Sequence, residues 1–245
     1  MGHKKRGYSK DIPDEQVRDY KLFAVACEGE KREPEYFKLF SRMSKKIKVD
    51  VIEDIVSDED IAGKYRHAHR SSPQWVLDRA VRYIDKVSLI DEDELWFVID
   101  TDRWAEKQIR NLANYCNEHA NWNIAISNPC FEVWLYFHKS SKIEDSPSKT
   151  CEQLKHEIST FEKGGYHPYK FIPYLHDAID NAENADKNPV HFFPEYKTTK
   201  VYLLAKALLE KVGINDFKNF TEEILPALEK TDINKMQASR KNIKR

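Results

Sequence analysis

The stretch Leu22-Phe23-Ala24-Val25-Ala26-Cys27-Glu28-Gly29-Glu30 decides the fold. A continuous apolar run ended by an acidic residue and a glycine reads as a strand buried on both faces. Leu95-Trp96-Phe97-Val98-Ile99-Asp100-Thr101-Asp102 repeats the pattern further along the chain. Strands buried on both faces belong to parallel sheets covered by helices, and helical patterns separate the runs here. Pro34 fits the first turn of a helix reaching about residue 46, with Phe37, Phe40 and Met43 as its apolar positions. Residues 47–55 alternate like a second strand, and residues 57–70 read as a polar loop. Ser72-Pro73 caps and opens a helix carrying Trp75, Val76, Ala80 and Tyr83. A strand over 94–99, a helix over 104–119 and a strand over 122–127 follow, and Asn128-Pro129 opens a mostly apolar helix. Beyond residue 139 only helical patterns recur, over 150–162, 173–186, 199–211 and 216–230.

The expected architecture is therefore α/β: a mainly parallel four-stranded sheet flanked by helices, with a helical C-terminal region. Residues 1–19 read as a flexible basic arm, 20–140 as the α/β core, and 141–245 as the helical region packed on it. The 245 residues include 40 basic and 41 acidic ones, so net charge alone does not mark a nucleic-acid binder. Both ends are basic (Lys4, Lys5, Arg6 and Lys10; Arg240, Lys241, Lys244 and Arg245), whereas Asp91-Glu92-Asp93-Glu94 is acidic. No apolar run approaches the roughly 18–20 residues of a membrane span, and no secretory segment opens the chain. Cys27, Cys116, Cys130 and Cys151 lack zinc-ligand spacing, and reduced cysteines in a cytoplasmic protein are expected.

The carboxyl ends of parallel strands border the crevice where α/β proteins bind ligands. Glu28, Asp100 and Asp102 stand at such ends. Carboxylates gathered there repel one another unless a divalent cation neutralises them, and Mg²⁺, or Mn²⁺ in its place, suits a few carboxylates plus water and phosphate oxygens. Such a site serves phosphoryl or phosphodiester chemistry. Three other chemistries share an Asp-x-Asp: a haloacid-dehalogenase-type phosphatase, which places it on the first strand; a nucleotide-sugar transferase, whose donor pocket has no counterpart here; and a response-regulator-like phosphate acceptor.

Glu28-Gly29-Glu30-Lys31-x-Glu33-Pro34-x-Tyr36-Phe37, Val98-x-Asp100-x-Asp102-Arg103 and Ser127-Asn128-Pro129-Cys130-Phe131-Glu132-x-Trp134-Leu135 together resemble the RloB-like family. The similarity spans residues 20–140 and continues more loosely through 166–170 and 198–209. It implies a Toprim-like fold related to the nuclease domains of overcoming-lysogenisation-defect (OLD) proteins. It implies a Mg²⁺-dependent nuclease acting on DNA or RNA, tRNA included, as the effector of an anti-phage, abortive-infection system with an ATPase partner, and homo-oligomers are compatible with it. Glu28, Asp100 and Asp102 take the catalytic, metal-binding positions, and the late lysine of some relatives falls on Lys170. Where Toprim proteins follow their Asp-x-Asp with small residues, this chain has Arg103-Trp104.

Of the remaining residues, Glu132 is expensive to bury unless it meets a cation, which makes it a metal ligand or a partner for one. Glu30 could support the site, whereas Glu33 is explained by its place at a helix N-terminus. Asn128 either caps the next helix or reaches the crevice, and Arg103 or Lys170 could offset transition-state charge. Trp75, Trp96, Trp104 and Trp134 are assigned to the core. His67, His69 and Arg70 are solvated loop residues that could touch phosphate, and Tyr166-His167-Pro168-Tyr169-Lys170 is a connector or a clamp on substrate. The alternative to a nuclease is a non-catalytic Toprim-like module that binds a nucleotide or a partner of a defence complex.

Overall fold

A computed structural model describes residues 18–53 and 72–231. The basic residues near both ends, and His67, His69 and Arg70, lie outside the described residues. Strand β1 (Lys21–Cys27) leads through helix α1 (Arg32–Lys38) to β2 (Ile47–Val51). Helix α2 (Pro73–Ile84) precedes β3 (Glu94–Asp100), and α3 (Glu106–Cys116) precedes β4 (Trp122–Asn128). Helices α4 (Glu132–Phe137), α5 (Cys151–Thr160), α6 (Pro168–Phe171) and α7 (Leu175–Ala185) follow. A short strand β5 (Thr198–Thr199) then leads into α8 (Val201–Val212) and α9 (Ile214–Asn219).

The sheet runs in the order β2-β1-β3-β4-β5, with the first four strands parallel. It has five strands rather than the expected four, because Thr198–Thr199 adds antiparallel to β4. The Ser127 and Thr199 hydroxyls hydrogen-bond at 2.9 Å, and the Lys200 N–H donates to the Ile126 carbonyl at 2.7 Å. A strand of two residues has no periodicity to betray it in the sequence.

Alternate residues of the strands feed two apolar clusters. Ala24, Ala26, Leu95, Phe97 and Ile99 meet α2 and α3 on one face. Phe23, Val25, Trp96 and Val98 meet Phe37, Trp134, Phe171, Leu175, Leu204 and Phe217 on the other, so the C-terminal helices share one core with the sheet. Ser72 accepts a hydrogen bond from the Trp75 N–H at 3.2 Å, the cap expected for α2.

The first helix is shorter than the pattern suggests. It ends at Lys38 and gives way to a tighter turn over Phe40–Arg42. The Ser41 hydroxyl donates to the Val49 carbonyl at 2.9 Å and accepts from its N–H at 2.8 Å, tying this turn to β2. The three-residue spacing of Phe37, Phe40 and Met43 suits that winding better than an α-helix. The helix expected over 216–230 is also divided, into α9 and a wider turn over Phe220–Ile224 before it resumes.

From β1 the chain crosses to β2 on one side and afterwards to β3 on the other. The β1/β3 boundary is thus the topological switch point, where the loops diverge and leave a crevice at the carboxyl edge.

Candidate active site

Glu28 and Asp100 border that crevice. The Glu28 N–H donates to the Val98 carbonyl at 2.9 Å, continuing the β1–β3 pairing one residue past β1. The Glu28 carboxylate is buried and accepts two hydrogen bonds, from the Asp100 N–H at 2.9 Å and the Trp104 indole N–H at 2.7 Å. Burial raises its pKa to about 7 against those two bonds, with the charges of Asp102 and Glu33 adding to the rise. Trp104, assigned to the core from sequence, is therefore a ligand of the first acidic residue. Its indole N–H fixes the carboxylate while its ring packs against the α2/α3 core.

Asp100 is the focus of the cluster. Its Oδ1 is inaccessible to solvent and has no hydrogen-bond partner among the described residues. Burial, then the charges of Glu33, Glu28, Glu132 and Asp102, hold its carboxyl well above the usual range. Asp102 lies further out, with Oδ2 3.8 Å from Nε of the exposed Arg103.

The string Ser127-Asn128-Pro129 fixes this acidic loop from the next strand. The Thr101 N–H is shared between the Ser127 and Pro129 carbonyls at 3.1 Å, and the Asp102 N–H donates to Pro129 at 3.1 Å. Asn128 accepts from the Thr101 hydroxyl at 3.0 Å and donates to the Pro194 carbonyl at 3.0 Å. Asn128 does not cap the next helix, since α4 starts at Glu132 with no side-chain cap; its side chain is spent on Thr101 and Pro194.

Glu33 lies in the first turn of α1, as expected, and its charge also acts on Asp100. The buried Glu33 carboxylate occupies the space beside Gly29, where an added Cβ would collide with both of its oxygens. Burial raises its pKa to about 7, and Glu132 adds to the rise. The glycine thus makes room for a carboxylate of the chain itself. Replacing it by alanine is expected to turn Glu33 out of the crevice while leaving the strand and helix in place. In carboxyl-detected NMR titration, the Glu33 carboxyl of Gly29→Ala should move from about 7 toward its ordinary value near 4.5. A midpoint still near 7 would contradict this.

Glu132 is buried, and its Oε1 lies 2.9 Å from Nη1 of Arg32. Burial lowers the Lys155 pKa, but Glu132 and, further down, Asp100 more than offset it, so its ammonium is held above the usual lysine range. Glu30 is exposed in a groove with Lys31, Lys38 and Arg79. Lys170 donates to the Lys163 carbonyl and acts on Glu162.

Among the described residues no group of three or more His, Cys, Asp or Glu side chains is already arranged around a single metal position. The donor set nevertheless fits a hard divalent cation. It is all carboxylate oxygen, carries more negative charge than burial tolerates, and includes the buried, unpartnered Oδ1 of Asp100.

Glu33, Trp104, Arg32 and Lys155 are the site residues that sequence reasoning missed. The bulky Trp104 after Asp-x-Asp-Arg was a usable signal; nothing in the local pattern marked Arg32 or Lys155. No helix among the described residues is long and apolar enough to cross a membrane. No curated protein and no solved structure matches the chain. A family model described as RloB-like protein matches residues 23–208, a span that includes every carboxylate of the crevice and the Ser127–Glu132 string, and by that match the chain belongs to the RloB-like family.

Proposed function

We propose that this protein is a Mg²⁺-dependent nuclease of Toprim-like descent that hydrolyses phosphodiester bonds in DNA or RNA as the effector of an anti-phage defence system. The observation that carries the reading is the buried, unpartnered carboxylate oxygen of Asp100 amid further carboxylates at the β1/β3 switch point. Asp100 and Asp102 would hold the ion, with Glu28 and Glu33 within the same field. A bound Mg²⁺ supplies charge neutralisation at phosphorus and a more acidic water.

The chain's own groups set the rest. The Asp100 N–H and Trp104 fix the Glu28 carboxylate in one orientation, so it can accept a proton from an attacking water at neutral pH. Ser127, Asn128 and Pro129 hold the Asp100–Asp102 loop against movement when charge enters the crevice. Four unpaired, buried cysteines support a cytoplasmic setting. An ATPase partner and homo-oligomerisation belong to the same proposal and rest on the family resemblance.

The decisive experiment incubates the purified protein with plasmid, single-stranded DNA and total tRNA, with Mg²⁺ or Mn²⁺, beside Asp100→Ala/Asp102→Ala. Metal-dependent cleavage by the wild type and none by the double variant is expected. Cleavage retained in the variant refutes the assignment, and metal or nucleotide binding without any hydrolysis selects the non-catalytic module.

A further inference from the structure

An acidic crevice repels the polyanion it is meant to cut, so a nuclease needs a cation placed where the phosphate arrives. The cations expected from sequence are poorly fixed for that task. Arg103 is 64 % exposed and its Nε stands 3.8 Å from Asp102, while Lys170 is turned to a backbone carbonyl.

Arg32 is fixed from three sides. Its Nη1 lies 2.9 Å from Glu132 Oε1, its Nη2 donates to the Lys155 carbonyl at 3.4 Å, and its guanidinium lies 5.3 Å from the Tyr166 ring centroid. The Glu132 side chain is 3 % exposed and that of Arg32 is 24 % exposed, so the carboxylate is sealed while part of the guanidinium faces solvent. A guanidinium carries five N–H donors and stays charged at any working pH. Those not committed to Glu132 and Lys155 remain for a ligand. On the same side, the Tyr166 hydroxyl is buried without a hydrogen-bond partner among the described residues, and Glu35, Arg32, Glu33 and Glu132 are the charges that act on it.

We propose that Arg32 is the residue that receives the substrate phosphate at this crevice, and that Glu132 is the positioning residue that holds it there, not a ligand of the metal. This inference rests on the nuclease reading above. A planar fork aimed by a buried carboxylate and stacked on an aromatic ring suits bidentate contact with phosphate oxygens. The Lys155 ammonium adds charge beside it.

The test compares Arg32→Gln, Arg32→Lys, Glu132→Gln and the double variant Arg32→Gln/Glu132→Gln in three measurements. These are kcat and KM for cleavage, binding of a short single-stranded oligonucleotide with Ca²⁺ replacing Mg²⁺, and the rise in Tm on adding Mg²⁺. The double variant leaves no buried charge unpaired, which keeps the test informative should Arg32→Gln fail to fold. Arg32→Gln and the double variant are expected to raise KM and the oligonucleotide Kd at least about tenfold. Arg32→Lys should recover only part of that loss, because a point charge lacks the fork. Glu132→Gln keeps an acceptor for Arg32, so it should raise KM by a smaller factor and retain the Mg²⁺-dependent rise in Tm.

Wild-type KM and Kd in the Arg32 variants would overturn the phosphate role. Loss of the Mg²⁺ response in Glu132→Gln would make that residue a metal ligand and overturn the positioning role. Either result leaves the nuclease reading standing, whereas a wild type that neither cleaves nor binds nucleic acid removes that reading and this inference together.

Discussion

Adding Mg²⁺ at pH 8 is expected to raise the Tm of the wild-type protein by roughly 5–10 °C, and at pH 6 by much less. Ligand at a hundredfold excess over Kd stabilises a fold by about 2.7 kcal/mol, and each kcal/mol moves Tm by about 2–4 °C in a chain of this size. The pH dependence follows from Glu28 and Glu33, whose folded pKa values of about 7 lie above the ordinary 4.5. Between those values the folded state binds more protons than the unfolded one. The stability these two groups contribute without metal is therefore fully present below about pH 4.5 and is lost as pH rises through about 7. Protons and cation compete for the same crevice, so the metal contributes most where the protons have left. Asp100→Asn should keep the metal-free Tm within a few degrees, since it removes a buried charge that its neighbours oppose, and it should abolish the Mg²⁺ increment. Thermal melts across pH 5.5–8.5, with Mg²⁺ or EDTA, give the answer without any substrate. An increment that is equal at both pH values, or that survives Asp100→Asn, would remove the metal from this crevice.

The four parallel strands and their acidic ends were legible because buried parallel strands leave continuous apolar runs, and because acidic residues at their tips have no packing reason to be there. The strand order was not legible. The Ser127–Glu132 string was legible as unusual, but its work was not. It clamps the Asp-x-Asp loop through the Pro129 carbonyl and the Asn128 side chain, contacts that bridge loops distant in sequence. Glu33 stands in the first helical turn as expected, and that local explanation hid its second role. Only its seat beside Gly29, with its charge acting on Asp100, joins it to the acidic cluster. Arg32 and Lys155 come from separate helices and acquire meaning through Glu132, a relation that no sequence window contains.

Asp186→Ala is expected to destabilise the protein by about 3–5 kcal/mol, the cost of stranding a buried charge, and to lower Tm by roughly 6–20 °C at the same sensitivity. Lys200, 4 % exposed, pairs with Asp186, 7 % exposed, at the end of α7. The Tyr202 hydroxyl donates to the same carboxylate oxygen at 2.8 Å, and the Lys200 ammonium also reaches the Asn188 and Pro189 carbonyls at 3.3 and 3.1 Å. This cluster anchors the segment that carries β5, and Pro194 within that segment accepts the hydrogen bond from Asn128. Removing Asp186 thus reaches the Asp100–Asp102 loop through Asn128 as well as the core through Lys200. Asp186→Ala/Lys200→Met should recover most of the lost stability, because apolar replacement of a whole buried pair is often neutral or favourable. Denaturant melts of the single and double variants separate these effects. A single variant as stable as the wild type would show that Lys200 finds water or another partner when Asp186 is gone. A double variant as weak as the single one would place the energy in the Tyr202 hydrogen bond and the packing around it, not in the stranded charge.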